Sequence, residues 1–482
     1  MRSGPVLGVD IGTGSAKAVL FDPERGVLGR GAAAYPIRTP GPARAEQDPM
    51  DWWTATVIAV RMAVGDGADA VTALAVSGQG AALVLLDRAG TPVRAALIHL
   101  DQRAAGPAER LADSPVGAAV AAASGNRIGA WNIAAKLLWL RENEPLTGTA
   151  AAHLTSAAGF VLRCLAGRSV QSVSDAGISD LFDLSRRCWS AEVIDALDVP
   201  AGWLPDVAAA TDVVGALTPA AAEALGLPES VLIVAGGEDA SSAALAAGVL
   251  NADDGFVSLG TAGVAGAVAA AGTIREPRLL TFPHVREGHD IVSGSMTSAG
   301  SALSWCAALT GADVPTLLAE AATSPCGANG VLFVPYLAGE LHPINDPDAR
   351  GVFAGLSLST TRADLGRAVL EGSAGAIAHN LVVAAGAGAA PHRLAVTGQP
   401  ARSALWMQAI ADATGMRVDV AADEGAALGD AVIAAAGSDD ALPTLVSRHL
   451  SSSDSYHPRA AEYEAAVARR AAVAALYRAS RQ

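Results

Sequence analysis

Residues 6–22 read VLGVDIGTGSAKAVLFD, a short apolar run, an acidic residue, a Gly-Thr-Gly turn and a second apolar run. Glycines at 12 and 14 lack the Cβ atoms that would block a ligand from approaching the backbone. The neighbouring hydroxyls and the lysine add donors and a positive charge, which is the chemistry that holds phosphate. The phosphate-binding residues predicted in this turn are Thr13, Gly14, Ser15 and Lys17.

Asp10 ends the first apolar run, where a carboxylate can hold a hydrated magnesium ion beside bound phosphates. Two other kinds of glycine turn do not fit. A dinucleotide fingerprint needs glycine where Lys17 stands and a helix where residues 18–21 predict a strand. A Walker A string is absent from the sequence. The turn therefore predicts a β-hairpin phosphate loop, as in the actin, hexokinase and Hsp70 group, with an ordinary hairpin as the alternative.

Composition limits the class of protein. The chain has 482 residues, which suits two domains, and its formal net charge of −15 disfavours nucleic acid as a partner. Its 4 cysteines form no metal-binding or redox pair. An acidic residue interrupts the first apolar run, unlike a secretory signal, and no stretch suits a membrane span. We expect a soluble cytoplasmic protein that binds a small molecule, and no membrane.

A second phosphate-type turn lies at residues 257–263, VSLGTAG, and resembles the first. Gly260 and Thr261 are its predicted phosphate-binding residues. Two such turns some 250 residues apart indicate two related domains that each offer a loop to one phosphate chain. The expected divisions are residues 1–248, 249–440 and 441–482, the last a peripheral helical tail.

Two further strand-to-helix junctions carry candidate site residues. The buried-strand pattern at 231–235 is followed by Gly-Gly-Glu-Asp and an Ala/Ser-rich helix, which places Asp239 at a strand end facing a cleft. A helix-capping role for Asp239 is the alternative. The strand at 394–399, LAVTGQ, leads into a helix that contains Trp406 and ends near Gly415. Asp48 and Pro49 predict the start of another helix.

Together and in order, several strings resemble the FGGY family of carbohydrate kinases, most closely its xylulokinase-like members. These strings are GVDIGTGSAKAVLFD, AEQDPMDWW, SGQ, LDQRA, VSDAG, GGEDASSAA, SLGTAGV, VPYLAGE, EGAALGDA and a tail with YHP. The resemblance implies an α/β, two-lobed, actin-like (ribonuclease H-like) ATPase fold with two related mixed-sheet domains around a central cleft.

The resemblance also implies a reaction and its residues. MgATP would phosphorylate a sugar, a xylulose-like ketose or a polyol hydroxyl. Asp239 would be the general base, and Asp10 would belong to the magnesium shell and act through water. By the same resemblance Gly300 and Ser304 lie close to the bound nucleotide, and Ser403 lies near the adenine end of that nucleotide.

The sequence departs from its relatives in both ligand loops. The adenosine loop of relatives reads Gly-Gly-Gly-Ala-Lys/Arg-Ser, whereas Gln399 and Pro400 here add bulk and remove an amide donor. The Gly-Gln-Met-His-Gly sugar loop is replaced by residues 78–82, GQGAA. We expect this smaller loop to admit a bulkier substrate. The substrate-binding residues implied are Gln79, Gly80, Ala81, His99, Asp101 and Arg103.

His99 replaces the tryptophan of the usual Trp-Asn-Asp-x-Arg string, and a structural histidine is the alternative to a sugar contact. Two other functions stay open at this point. One is a sensor of nucleotide or sugar that has lost catalysis, and the other is an actin-like or Hsp70-like ATPase with a protein client. The sequence is compatible with a homodimer.

Overall fold

The computed structural model describes residues 1–421, 425–450 and 452–481; Glu424, the first residue of the EGAALGDA string, lies outside the described residues. The strands are β1 Val6–Ile11, β2 Ser15–Asp22, β3 Gly26–Ala34, β4 Glu46–Gln47, β5 Ala73–Gly78, β6 Val84–Leu86, β7 Ala96–Leu97, β8 His153–Thr155, β9 Val170–Ser172, β10 Phe182–Asp183, β11 Cys188–Trp189, β12 Asp206–Ala208, β13 Val213–Ala216, β14 Leu232–Glu238, β15 Asp254–Leu259, β16 Gly263–Ala270, β17 Leu280–Pro283, β18 His289–Met296, β19 Leu332–Val334, β20 Val352–Ala354, β21 Arg393–Thr397, β22 Arg417–Ala421 and β23 Ser452–Tyr456.

The α-helices are α1 Pro49–Val64, α2 Ala105–Ala112, α3 Pro115–Ser124, α4 Ile133–Asn143, α5 Pro145–Ala150, α6 Ala157–Ala166, α7 Val173–Gly177, α8 Ala191–Ala196, α9 Pro219–Leu225, α10 Asp239–Ala246, α11 Gly300–Leu309, α12 Val314–Ala321, α13 Arg362–Gly386, α14 Ala404–Thr414, α15 Ala426–Ala436, α16 Leu442–His449 and α17 Ala460–Ser480. As predicted, α1 begins at Pro49 with Asp48 as its N-cap, and α14 is followed by Gly415 as its C-cap.

The first large sheet has the strand order β13-β14-β5-β1-β2-β3. β1 and β2 form an antiparallel hairpin in which Asp10 lies opposite Lys17, while β1 and β5 run parallel. The Gly-Thr-Gly turn therefore joins two strands, as predicted, and does not open a helix. β1, β5 and β14 are parallel neighbours, so their carboxyl ends meet at one edge of the sheet.

The second large sheet repeats this arrangement, with the order β17-β18-β16-β15-β21-β22-β23. β15 and β16 form the second hairpin, and β15, β21 and β22 run parallel just as β1, β5 and β14 do. In both sheets the strand next to the last parallel strand runs antiparallel to it. The internal duplication predicted from the two glycine turns is confirmed by this shared strand order.

The chain returns to the first sheet after it has built the second. α15 packs on β1, β2, β5 and α10, and its alanines share one buried cluster with residues of the first sheet. Two glycines allow the close fit, because a Cβ on Gly8 would lie 2.0 Å from Ala427 O and one on Gly429 would lie 2.0 Å from Ser242 O. The tail then adds β23 to the second sheet and packs α17 on α13 and α14.

α13 has the length and apolar composition of a membrane-spanning helix, but 72% of its most apolar window is buried inside the protein. Burial of this kind is typical of the core helix of a domain.

Candidate active site

Two carboxylates lie at the carboxyl ends of neighbouring parallel strands. Asp10 is near the end of β1, and Asp239 follows the last residue of β14 as the first residue of α10. Burial, and after it the negative charge of Asp239, raise the pKa of Asp10 to about 7 against the opposing effects of Lys17 and Ser77. The two acids are thus close enough for their charges to interact, and both lie at the edge from which the first glycine turn projects.

The helix-capping alternative for Asp239 is wrong, because the cap of α10 is the preceding residue. Glu238 is the N-cap, and its side chain accepts a hydrogen bond from Ser241 N, with Oε2 at 2.9 Å. Asp239 lies at the first helical position, where the positive end of the helix dipole favours its negative charge. Burial and the nearby charge of Asp239 raise the pKa of Glu238 well above its usual value.

The first glycine turn is held from behind by polar side chains. Gln47 Nε2 donates to Thr13 O at 2.7 Å, and the Tyr35 hydroxyl donates to Gly12 O. The Gly14 position is open, since a Cβ there would have no atom within 4 Å. Lys17 is exposed, and no ion pair of Lys17 occurs among the described residues. The turn is rigid at its base and open on the side that would face a ligand.

The second turn is joined to α11 by backbone hydrogen bonds. Gly300 N donates to Gly260 O at 2.9 Å, and Ser301 N donates to Thr261 O at 3.1 Å. A Cβ on Gly300 would lie 2.5 Å from Gly260 O and 3.8 Å from Pro400 Cγ. Gly260, Thr261 and Gly300 therefore meet in one place beside the loop that contains Pro400.

The remaining nucleotide candidates already have local roles. Ser304 Oγ donates to Gly300 O at 3.1 Å within α11. Ser403 is the N-cap of α14, and its Oγ accepts from Trp406 N at 3.4 Å. Gln399 is exposed in a 3-10 turn that precedes α14. A Cβ on Gly398 would lie 1.9 Å from Leu259 O, so this loop packs directly on the strand before the second turn.

The predicted sugar loop follows β5 and is mostly buried. Gln79 Nε2 donates to Gln47 Oε1 at 2.8 Å, which connects this loop to the first glycine turn. Ala81 has a left-handed backbone, with φ of 54°, and Lys136 Nζ donates to its carbonyl oxygen at 2.7 Å. The same ammonium donates to Leu97 O at 3.3 Å. Lys136 is fully buried, and burial lowers its pKa to about 7.

The structure leaves little room beside Gly80 in the direction of a side chain. A Cβ on Gly80 would lie 3.1 Å from Glu238 Oε1 and 3.3 Å from Ile178 Cγ1. Ala81 is itself only 3% exposed. A Cβ at position 80 would thus press on Glu238 and Ile178, and the expected admission of a bulkier substrate stays a prediction.

The segment that contains His99 forms the other side of this region. His99 is half-buried, its Nδ1 has no hydrogen-bond partner, and burial lowers its pKa while the charge of Asp239 opposes that fall. Asp101 and Arg103 bind one another, with Arg103 Nε 2.8 Å from Asp101 Oδ1, and Arg103 also pairs with Glu46. His99 thus lies within electrostatic reach of Asp239, whereas Asp101 and Arg103 are engaged with protein partners.

Several residues that support the site were missed by the sequence reasoning. They are Glu238, Gln47, Tyr35, Lys136, Ser77 and Asp430. Asp430 comes from α15, is fully buried, and accepts a hydrogen bond from Ser242 Oγ at 2.8 Å. Burial and the charge of Asp10 raise its pKa well above its usual value. Only Glu238 had a local signal, the pair of adjacent acids in GGED; the others depend on contacts that are distant in sequence.

The fold and the site define the class of this protein: a two-lobed α/β, actin-like ATPase with two mixed sheets, and a carbohydrate kinase. Residues 5–246 match the FGGY family of carbohydrate kinases, N-terminal domain, and residues 255–438 match its C-terminal domain. The chain belongs to this family, and the resemblance seen in the sequence is confirmed.

The similarity to known relatives extends over nearly the full length of the chain. The chain is 34% identical to xylulose kinase of Klebsiella pneumoniae over 89% of both chains, and 33% identical to that of Escherichia coli K12 over 98% of both. The crystal structure of xylulose kinase from Rhodospirillum rubrum superimposes with a TM-score of 0.91 at 30% identity, covering 98% of each chain. The predicted fold and the predicted activity, ATP-dependent phosphorylation of a small-molecule sugar, are confirmed, and the impaired-sensor alternative is not favoured.

Proposed function

We propose that this kinase transfers the γ-phosphoryl group of ATP to a hydroxyl of an uncharged ketose or polyol, with Asp239 as the general base. The observation that carries the proposal is the shared sheet edge at which Asp10, Asp239 and the first glycine turn meet. A base beside a phosphate-binding turn is what in-line phosphoryl transfer needs, because catalysis depends on positioning and charge stabilisation.

Asp239 acts by orienting the acceptor hydroxyl and taking its proton as the new P–O bond forms. It lies at the first residue of α10, where the positive end of the helix dipole favours a negative charge. Glu238 takes over the capping of the helix, so the Asp239 side chain has no capping task that would turn it away from the cleft.

Magnesium fits the residues at Asp10. Mg²⁺ is usually held by one or two carboxylates together with phosphates and water, and no cluster of three or more metal-ligating side chains occurs in the described part of the chain. Asp10 and the open space at Gly14 suit that mode of binding. When bound, the ion neutralises charge on the phosphates. We propose that Asp10 holds it through water.

The two glycine turns, one in each lobe, would both bind the phosphates of ATP. The residues proposed to bind the nucleotide are Thr13, Gly14, Ser15, Lys17, Gly260, Thr261, Gly300, Ser304, Gln399 and Ser403. Support comes from the hydrogen bonds that fix both turns and from the contact between Gly300 and Gly260. For the sugar, we propose Gln79, Gly80, Ala81, His99, Asp101 and Arg103 as the binding region.

The similar proteins are named xylulose kinases, and we propose a xylulose-like ketose or a polyol as the substrate. We further propose cytoplasmic action, assembly as a homodimer, and a division of the chain at about residues 248 and 440.

The test is ADP release coupled to a reporter enzyme, with MgATP and a panel of ketoses, aldoses, polyols and sugar acids. We expect ADP release that depends on at least one uncharged ketose or polyol. ADP release that ignores every sugar, or that responds only to sugar acids, would overturn the proposal.

A further inference from the structure

The space beside Gly80 is filled by a carboxylate. Glu238 Oε1 lies 3.1 Å from where a Cβ on Gly80 would be, and Ile178 Cγ1 and Cγ2 lie 3.3 and 3.6 Å from it. Contacts nearer than 3.4 Å are tight for a Cβ, so a side chain at position 80 would push this carboxylate aside. Gly80 and Glu238 are therefore matched to one another.

Glu238 is not free to move away. Its Oε2 accepts from Ser241 N at 2.9 Å, and its own backbone N–H donates to Ser174 Oγ at 3.0 Å. Its backbone also pairs with Gly78, the first residue of the predicted sugar loop. With one carboxylate oxygen capping α10, the other is held against the loop.

The residue next to Gly80 offers an unused hydrogen-bond acceptor. Gln79 Oε1 is buried without a partner. Two cations of this region are engaged: Arg103 by Asp101 and Glu46, and Lys136 by two backbone carbonyls. Among the described residues around this carboxyl, a ligand meets oxygen acceptors and no free guanidinium, which suits hydroxyl donors and leaves the carboxylate of a sugar acid without a cation to pair with.

We propose that Glu238 is a specificity-determining residue that contacts the sugar in place of the side chains missing at Gly80 and Ala81. It selects uncharged polyhydroxy compounds over sugar acids. This inference rests on the proposed function and names the selecting group within that site.

Ligand binding tests the proposal without requiring turnover. Calorimetry with D-xylulose, D-ribulose, xylitol, glycerol and D-gluconate compares the wild type with Glu238→Ala and Glu238→Gln. Glutamine keeps the shape of the side chain and an oxygen that can cap α10. Glu238→Gln therefore still tests the proposal if Glu238→Ala fails to fold. The matched control is Asp313→Ala, which removes an exposed N-cap carboxylate from α12.

We expect the wild type to bind a neutral member of the panel and to reject D-gluconate. Glu238→Ala should weaken neutral binding at least tenfold and raise the KM for sugar while the KM for ATP stays unchanged. Glu238→Gln should reduce the ratio of the affinity for the neutral sugar to that for D-gluconate at least tenfold. Asp313→Ala should change neither the affinity for the neutral sugar nor the preference for it over D-gluconate. Unaltered affinities and preference in both Glu238 variants would overturn the proposal.

A double-mutant cycle tests the contact itself. Gly80→Ala should lower the melting temperature in wild type and lower it less in the Glu238→Ala background, because the tighter of the two close contacts is then absent while that with Ile178 remains. Equal effects in both backgrounds would overturn the match between the two residues.

The outcomes separate this inference from the proposed function. Turnover of neutral sugars with unchanged Glu238 variants overturns the inference alone. Sugar binding that weakens in Glu238→Ala without any ADP formation supports the inference and overturns the phosphoryl-transfer proposal. Wild-type protein that binds no sugar in the panel overturns both.

Discussion

At the scale of single residues, the sugar loop depends on one buried ammonium. Lys136 Nζ donates to the carbonyl oxygens of Ala81 and Leu97 and so joins the loop after β5 to the strand that precedes His99. Lys136 thereby acts as a positioning residue that holds two proposed sugar-binding segments together without being placed to react.

Replacing this lysine should affect sugar more than nucleotide. Lys136→Met leaves the buried carbonyl of Ala81 without a donor, whereas Leu97 O keeps its hydrogen bond from Leu83 N; an unsatisfied buried group costs about 1–3 kcal/mol. We expect the KM for sugar to rise by about tenfold or more, consistent with that free energy, and the KM for ATP to change little. Steady-state kinetics with each substrate varied in turn measures both. Equal changes in the two KM values would contradict a role specific to the sugar loop.

A second residue-scale feature is the contact between Gly300 and the second glycine turn. Gly300→Ala places a Cβ 2.5 Å from Gly260 O, and a backbone atom cannot move aside without shifting the turn. We expect weaker ATP binding, measured by calorimetry, and a lower melting temperature.

The control for this change is Gly375→Ala in the middle of α13, where a Cβ meets nothing within 4 Å. Alanine there should stabilise the helix by about 0.5–1 kcal/mol and leave ATP affinity unchanged. ATP affinity that survives Gly300→Ala intact would disprove the importance of this close approach.

At the scale of elements, the sequence predicted best where local chemistry decides the structure. The hairpins β1–β2 and β15–β16 were predictable because glycines and hydroxyls mark each turn and apolar runs flank it. The start of α1 was predictable from Asp48 and Pro49. The alternative role of Asp239 as a helix cap was wrong because either of two adjacent acids could cap α10, and only the three-dimensional path of the chain selects Glu238.

Long-range packing could not be predicted in the same way. α15 is buried on almost every face and rich in alanine, so it has no polar stripe to show which surface it contacts. Its position against the first sheet depends on the close approach of Gly8 to Ala427. The burial of Asp430 follows from that contact, and the support of Asp10 by Ser77 follows from the pairing of β1 with β5. Neither leaves a mark in the local sequence.

The loop that follows β19 contains a buried carboxyl that should make stability depend on pH. Glu340 Oε1 accepts from Thr297 N at 3.1 Å and from Leu341 N at 2.8 Å, and burial raises its pKa to about 7 from an ordinary value of 4.5. Between these two pH values the folded protein keeps a proton that the unfolded chain releases. The free energy of unfolding therefore falls as the pH rises through this window.

Glu340→Gln removes this dependence while keeping an oxygen acceptor. Relative to wild type, the variant should gain stability from pH 4 to pH 8, by at most about 3 kcal/mol. Urea unfolding at several pH values measures the difference. Parallel pH profiles for the two proteins would show that the Glu340 carboxyl titrates normally.

At the scale of the whole molecule, the two duplicated sheets place one glycine turn in each half of the protein. Both turns would contact the same phosphate chain, and a phosphoryl donor open to water would be hydrolysed. We expect the lobes to close when both substrates are bound. Small-angle scattering with a non-hydrolysable ATP analogue and sugar should give a smaller radius of gyration than the free protein. Superimposable profiles would contradict closure.

The central claim is that Asp239 takes the proton of a sugar hydroxyl during phosphoryl transfer from ATP. The most direct measurement is sugar-dependent ADP release by Asp239→Asn beside wild type, with ATP binding and melting temperature measured on both proteins. The account predicts ADP release reduced by at least a hundredfold, with nucleotide binding and folding retained, because general-base catalysis contributes about 10²–10⁴-fold. Turnover by Asp239→Asn at the wild-type rate would contradict it.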